Sequence, residues 1–549
     1  MITTKDIFSY EPDQKYTVPV AYFSMEFAID QALKIYSGGL GFLAGSHLRS
    51  AYELKQNLLG IGILWKFGYY DQVRDADATM KPAFIEKQYS FLQDTGIKFT
   101  IPVHGSPVHV KVWLLKPEVF KSAPLFLLST DVPENDEVSR SICHRLYDSN
   151  EATRIAQSIL LGTGGATLLE ILGLENCLHH MNEGHSISLN FYLYSKYKSL
   201  EEVKKRVVFT THTPEAAGNE EHAYHLLQEM SFFYGLTEAE VKSVLGLEGT
   251  AFNYTLAALK FAGKANAVSQ LHGDVSRDMW KDNAGICEIT SITNAQNATY
   301  WKDAVLEKAF AENDDKAIVE RKKEMKKALF DLVSDQCGKI FDVDVLTVVW
   351  ARRFAGYKRA DLLMYDWERF LRLVKNAEYP IQVIWAGKPY PQDYGAIDMF
   401  NSIINRAKPL ANCAVLTGYE LKLSAMLKKG SDVWLNNPRM YREASGTSGM
   451  TAAMNGSINL SIPDGWIPEF ARDQDNCFLI QPAPDHLSFE EKDRVEALHL
   501  IETMENLVLP TYYNNQEKWL SILKQGAADV VPAFESSRMA REYYEIMYS

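Results

Sequence analysis

Hydrophobic positions along the 549-residue chain fall into short runs separated by polar and glycine-rich turns. In the first half, "TVPVAYFSMEF", "VKVWLLKP", "PLFLLSTDV" and "VVFTT" have the apolar or alternating habit of strands. Between them, "YSGGLGFLAGSHLRSAYEL" predicts a glycine loop that runs into an amphipathic helix, and "TRIAQSILLGTGGATLLEILGL" predicts a second helix. A long charged helix follows in "NDDKAIVERKKEMKKALFDLVSDQ", its charges read mostly as a solvated face. The pattern then restarts with "VLTVVWARRFAGYKR", "IQVIWAG", "CAVLTG" and "DVWLNN", each leading into a helical segment.

Strands that alternate with helices imply parallel sheets covered on both faces. The pattern therefore predicts two doubly wound α/β domains, over residues 1–300 and 341–490. Residues 301–340 are expected as a helical connection and 491–549 as C-terminal helices. Facing α/β domains would place a cleft at the carboxyl ends of their strands. No fixed-period repeat or low-complexity tract interrupts the chain.

Composition narrows the function classes. A formal net charge of -13 without a basic stripe argues against nucleic-acid binding, because an acidic surface is repelled by a duplex. The six cysteines are scattered with no CxxC pair, which suits buried small hydrophobes rather than disulfides or zinc. No apolar run reaches membrane-spanning length and "MITTKDIFSYEPDQKY" lacks a signal pattern, so a cytoplasmic protein without membrane partners is expected. Its 10 Trp and 28 Tyr could offer flat faces to sugars, although rings of this kind also fill ordinary cores.

Candidate chemistry begins at Arg352, Arg353, Lys358 and Arg359, directly after the strand "VLTVVWA". Guanidinium forks and an ammonium at a strand end suit phosphate, and a solvated basic loop is the plain alternative. After "DVWLNN", the run "EASGTSGM" opens with Glu443 and brings small residues that let backbone amides approach an anion; a tight turn with a capped helix is the alternative. His212 follows "VVFTT" and could donate to a sugar hydroxyl or be an ordinary structural histidine. Glu183 and His185 in "NEGHS" lack the helical spacing of a zinc site.

The ordered set "AYFSMEF", "YSGGLGFLAGSHL", "NEGHS", "VVFTTHTP", "VSQLHGDVSRDMW", "ITNAQ", "ARRFAGYKR", "AGKPYP", "DVWLNNPR", "EASGTSGM" and "NGSINLSIPDGW" resembles the α-glucan phosphorylases in their compact bacterial and archaeal form. The resemblance implies a GT-B fold and retaining transfer of glucose between the nonreducing end of an α-1,4-glucan and phosphate. It implies substrate-phosphate ligands at Arg352, Arg353 and Lys358, and a loop over the glucose and phosphate at Gly39 and Leu40. His212 matches a histidine that bonds the glucosyl unit, Glu443 a glutamate on the sugar hydroxyls, and Asn182, Glu183 and His185 a glucan-side loop. Thr447, Ser448 and Gly449 match the amides that hold the 5′-phosphate of pyridoxal phosphate. A homodimer is the assembly that the resemblance suggests.

The pattern breaks at Thr451, where the family has the lysine that carries pyridoxal phosphate as a Schiff base. A hydroxyl cannot form an imine, so covalent attachment is excluded at this position. From the sequence alone, borohydride is expected to trap no adduct. "ITNAQN" and "YDSN" depart from the family as well, at Ala295, Gln296 and Asn297 and at residues 147–150. Three readings follow: phosphorolysis with the cofactor held noncovalently, synthesis from a sugar nucleotide whose diphosphate fills the anion sites, or a silent glucan-binding protein.

Overall fold

The apolar runs of the first half assemble into a nine-stranded sheet. Its order is Ile289–Ser291, Lys264–Ala267, Val207–Thr210, Leu178–Asn182, Val20–Phe23, Leu58–Ile63, Leu125–Ser129, Ser106–Leu115 and Gln93–Val103. Pairing is parallel from Ile289–Ser291 through Leu125–Ser129, and the last two pairings are antiparallel. Val20–Phe23, Leu58–Ile63 and Val207–Thr210 are buried at every position, as a parallel sheet covered on both faces requires. The edge strand Gln93–Val103 instead alternates half-buried and exposed residues along most of its length, the habit of an antiparallel strand wetted on one face.

The second sheet is wholly parallel, in the order Cys413–Leu416, Ile381–Ala386, Leu346–Ala351, Val433–Asn436, Ile458–Ser461 and Phe478–Leu479. Counted along the chain this is the order 3-2-1-4-5-6 of a doubly wound nucleotide-binding sheet. The order reverses between Leu346–Ala351 and Val433–Asn436. Crevices for ligands form at such a reversal, outside the carboxyl ends of the strands. In the first sheet the corresponding reversal lies between Val20–Phe23 and Leu178–Asn182. Each sheet is thus doubly wound α/β, as the GT-B type requires.

The computed structural model describes residues 7–549. One unit holds the described residues through 70 together with 84–294 and 536–549, and the other holds 71–83 and 295–535. The chain therefore passes into the second unit at 295, and the stretch 301–340 lies inside that unit rather than between two. Its helix Asp315–Cys337 packs Leu329, Phe330 and Val333 into the same core as Trp434 and Ala452. Two of its charges are not solvated. Lys326 pairs with Asp432 at 2.5 Å, and Lys322 donates to the carbonyls of Lys429 and Ser431 at 2.8 Å. The C-terminal helices divide in the same way: Phe489–Thr503 and Gln516–Phe534 belong to the second unit, whereas Ser536–Glu542 belongs to the first.

Candidate active site

In the first unit the candidate side chains stand on loops at and beside the reversal of the sheet. Glu26, three residues past Val20–Phe23, accepts from the amides of Ser37 and Gly38 at 2.6 and 3.1 Å and from the Tyr147 hydroxyl at 2.7 Å. This carboxylate fixes the loop that opens the helix Gly39–Glu53. It leaves Gly39 exposed and Leu40 half-buried at the helix start, where backbone N–H groups are unsatisfied by the helix itself. The Tyr147 ring packs against His185, with ring centroids 5.6 Å apart. Sequence reasoning passed over Glu26 and Tyr147, although both stand inside quoted motifs.

Asn182, Glu183 and His212 come together on the neighbouring strand ends. Glu183 has a positive φ of 72°, and its carboxylate accepts from the backbone amides of Gly184 at 3.1 Å and His212 at 2.8 Å and from the Thr213 hydroxyl at 3.2 Å. Burial raises its pKa, against the pull of these donors. The amide of Asn182 donates to the Ser24 hydroxyl at 3.1 Å, which turns Oδ1 toward Nε2 of His212 at 2.7 Å. His212 therefore carries its proton on Nε2, and Nδ1 is left as the acceptor. Burial lowers its pKa to about 3, with His272 and His185 adding to the effect, so the ring is neutral at ordinary pH. His185 is likewise held to about 3 by burial and by Arg154. In this arrangement Nε2–H of His212 donates to Asn182 Oδ1, and Nδ1 is the ring nitrogen that carries a lone pair.

In the second unit the basic loop divides by task. Arg359 is structural: its guanidinium bonds the carbonyls of Asn437 and Pro438 and pairs with Asp493 and Glu496. Arg353 is exposed, whereas Arg352 and Lys358 are buried. Both buried cations converge on one oxygen of Glu443, with Arg352 Nη1 at 3.1 Å and Lys358 Nζ at 2.7 Å. Burial alone would raise the Glu443 carboxyl; Lys358 and Arg352 more than reverse this and hold it below the usual glutamate range. Nε of Arg352 and Oγ of Ser445 are buried with no partner among the described residues. Two cations against one carboxylate, with unused buried donors beside them, suit an added anion.

Three asparagine-mediated bonds tie this loop to the glycine-rich turn. Arg352 Nη2 donates to Oδ1 of Asn436, Asn436 Nδ2 donates to Oδ1 of Asn459 at 2.8 Å, and Asn459 Nδ2 donates to the Gly449 carbonyl at 3.0 Å. A Cβ at Gly449 would fall 2.5 Å from that Asn459 oxygen, so only glycine lets the turn sit this close. Gly446 supplies the left-handed backbone that the turn needs, at φ 90°. Asp464, from "SIPDGW", accepts from the amides of Arg442 and Glu443 at 3.1 and 3.0 Å and so positions the carboxylate. Burial, aided by the Glu443 charge, pushes Asp464 up to about 7.

Thr447 leads into the helix Ser448–Ala453. Thr451 is wholly buried inside it, and its hydroxyl donates to the Ser448 carbonyl at 3.1 Å. The altered "ITNAQN" serves local structure. The backbone N–H of Gln296 donates to the Phe534 carbonyl at 3.0 Å, and the Asn297 side chain caps the helix Ala298–Trp301.

The unpartnered Nε of Arg352 and Oγ of Ser445, beside the glycine turn, suit the phosphate of a group such as pyridoxal phosphate, while the Thr451 hydroxyl cannot form an imine with an aldehyde. Among the described residues no helix is long and apolar enough to cross a membrane.

A carbohydrate phosphorylase family model matches residues 254–545. The uncharacterised protein MJ1631 of Methanocaldococcus jannaschii is 46% identical over 96% of this chain and 99% of its own length. The maltodextrin phosphorylase of Thermococcus litoralis is 33% identical over 97% of this chain and 71% of its own. The glycogen phosphorylase of Aquifex aeolicus is 32% identical over 98% of this chain and 87% of its own. With a family model over more than half of its residues and relatives aligned along nearly all of it, this chain belongs to the carbohydrate phosphorylase family.

Proposed function

We propose that this protein transfers a glucosyl unit between the nonreducing end of an α-1,4-glucan and inorganic phosphate, with retention at the transferred carbon. The observation that carries the reading is the convergence of Arg352 and Lys358 on one Glu443 oxygen at the reversal of the second sheet. A substrate phosphate takes up the positive charge of these two side chains and the unused Nε of Arg352, with Arg353 adding a further cation from the same loop. Glu443, kept ionised by its neighbours, is acceptor-only and suits sugar hydroxyls. His212 supplies a neutral acceptor for another hydroxyl, with its orientation set by Asn182 and Glu183. Gly39 and Leu40 offer backbone amides to the sugar or its phosphate, and Asn182, Glu183 and His185 shape the glucan side.

Thr447, Ser448 and Gly449 would hold the phosphate of pyridoxal phosphate. When bound, that group supplies a second phosphate able to give and retrieve a proton. The test is release of glucose 1-phosphate from maltooligosaccharide and phosphate, with pyridoxal phosphate added. No release sinks the proposal. Release of nucleoside diphosphate from UDP- or ADP-glucose would reassign the chemistry to a sugar-nucleotide donor, and glucan binding without turnover would leave only a binding role.

A further inference from the structure

Residues 71–83 come early in the chain, yet they belong to the second unit. They form a hairpin whose strands, Asp71–Arg74 and Met80–Ala83, pair antiparallel. Arg74 Nη2 fastens it to the Val415 carbonyl at 2.5 Å, and the Met80 amide donates to Oδ1 of Asn401 at 2.9 Å. A further tie is Gln72, which is 9% exposed and uses both ends of its side-chain amide. Nε2 donates to the Gly387 carbonyl at 2.7 Å, and Oε1 accepts from the amides of Gly418 and Tyr419 at 3.0 and 3.2 Å. These partners follow the carboxyl ends of Ile381–Ala386 and Cys413–Leu416, adjacent strands of the second sheet. A donor facing a carbonyl and an acceptor facing two N–H groups is a combination that an amide meets and a carboxylate or an alkyl chain does not.

Both arms of this fork end on the backbone at Arg352. Gly387, at φ 150°, lies so close that a Cβ there would stand 1.9 Å from the Arg352 carbonyl oxygen. The Arg352 amide in turn donates to the Ala386 carbonyl at 3.3 Å. Tyr419, held by its own amide, donates its hydroxyl to the Ala351 carbonyl at 3.3 Å. The two peptide units that flank the Arg352 Cα are thus each in contact with a partner of Gln72. Their placement sets the direction in which the side chain leaves the backbone, and so where the guanidinium meets Glu443. Separations of 315 and 346 positions between Gln72 and its partners hide this link from any local pattern.

We propose that Gln72 is a positioning residue for the phosphate site: through Gly387 and Tyr419 it holds Arg352 in the orientation that receives inorganic phosphate. The proposal rests on the reading of Arg352 as a substrate-phosphate ligand. Gln72 acts through the Arg352 backbone rather than on the anion. Without the fork the guanidinium is free to shift, and a displacement of about 1 Å at such a group costs up to about 100-fold.

The experiment titrates the full-length protein and its variants with inorganic phosphate by calorimetry and follows the urea unfolding of each. In Gln72→Met, which removes both arms, phosphate should bind up to about 100-fold more weakly. Gln72→Glu keeps the shape and loses the donor to Gly387, and it should weaken phosphate as well. Asn401→Ala releases the hairpin at Met80 instead; it should lower the urea midpoint and leave phosphate affinity unchanged. In turnover, the phosphate KM should rise in both Gln72 variants while the maltooligosaccharide KM holds. Unaltered phosphate affinity in both Gln72 variants overturns the proposal, and so does equal weakening in Asn401→Ala, which would mean a loosened hairpin rather than a misplaced guanidinium. If Gln72→Met does not fold, Tyr419→Phe, which breaks the bond to Ala351, carries the same expectation and the same refutation. Weakened phosphate in the Gln72 variants, with no glucose 1-phosphate from the unaltered protein, would refute phosphorolysis and keep the role of Gln72. Release by Gln72→Met at an unaltered phosphate KM would refute that role and keep phosphorolysis, and an unaltered protein that binds no phosphate would refute both.

Discussion

Replacing Glu443 by glutamine tests the electrostatic centre of the second unit. The substitution keeps the shape of the side chain and removes its charge, leaving Arg352 and Lys358 buried together without their shared anion. At about 3 Å and an effective dielectric of about 20, each lost attraction is worth roughly 5 kcal/mol before solvation is counted. Breaking a buried pair from one side costs about 3 to 5 kcal/mol in net terms, because the remaining charge stays desolvated. Glu443→Gln should therefore lower stability by about 3 kcal/mol or more at neutral pH. Because the Glu443 pKa lies below its ordinary value in the folded chain, the same stabilisation in the unaltered protein is present at neutral pH and lost as pH falls through that depressed value. The assay is thermal unfolding followed by circular dichroism, with and without inorganic phosphate. Phosphate should restore most of the loss, since a ligand at about 100 times its dissociation constant adds about 2.7 kcal/mol. An unchanged midpoint without phosphate would refute the tight triad. A lowered midpoint that phosphate fails to raise would refute the anion site.

Asp464→Asn should remove a pH dependence. The folded carboxyl titrates at about 7 against an ordinary 3.8, so its contribution to stability is present at low pH and lost as pH rises through about 7; the variant's stability should be flatter across that window in denaturant titrations. His212 stays neutral, with a pKa of about 3, so the pH–rate profile should carry no imidazole step between about pH 5 and 8. Asn182→Asp, which sets a carboxylate 2.7 Å from Nε2, should introduce one, and its absence would argue against the Asn182–His212 bond. Gly449→Ala should destabilise by about 1 to 3 kcal/mol through the contact with Asn459, measured as a shift in urea midpoint.

The elements that announced themselves were those with long apolar runs. Leu346–Ala351 and Ile381–Ala386 are buried at every position, and each carries a single polar residue, Thr347 or Gln382, in an otherwise apolar run. Leu178–Asn182 is a central strand, yet it reads "LHHMN", and its two buried histidines hid it. The basic loop pointed to an anion, but local sequence could not divide its cations. Arg359 meets Asp493 and Glu496 across more than a hundred positions, and Lys358 meets Glu443 across 85. Asn436 and Asn459 lie in quoted motifs without any sign of their link, because hydrogen bonds between neighbouring parallel strands leave no trace in spacing. Residues 301–340 looked like a connection because charge dominates them; the buried Lys322 is hydrogen-bonded by carbonyls, and Lys326 paired with Asp432, more than a hundred residues away.

The path of the chain between the two units has a consequence for biosynthesis. Ser536 bonds Ser50 at 2.6 Å, and the Tyr548 hydroxyl bonds His180 in the middle of the first sheet at 2.7 Å. Both partners leave the ribosome only after residues 295–535, which build most of the second unit. The first sheet must therefore wait, incompletely covered, through nearly half of translation. No single scission of the polypeptide frees either unit whole, and a nascent chain stalled before 536 would present an unfinished surface to chaperones.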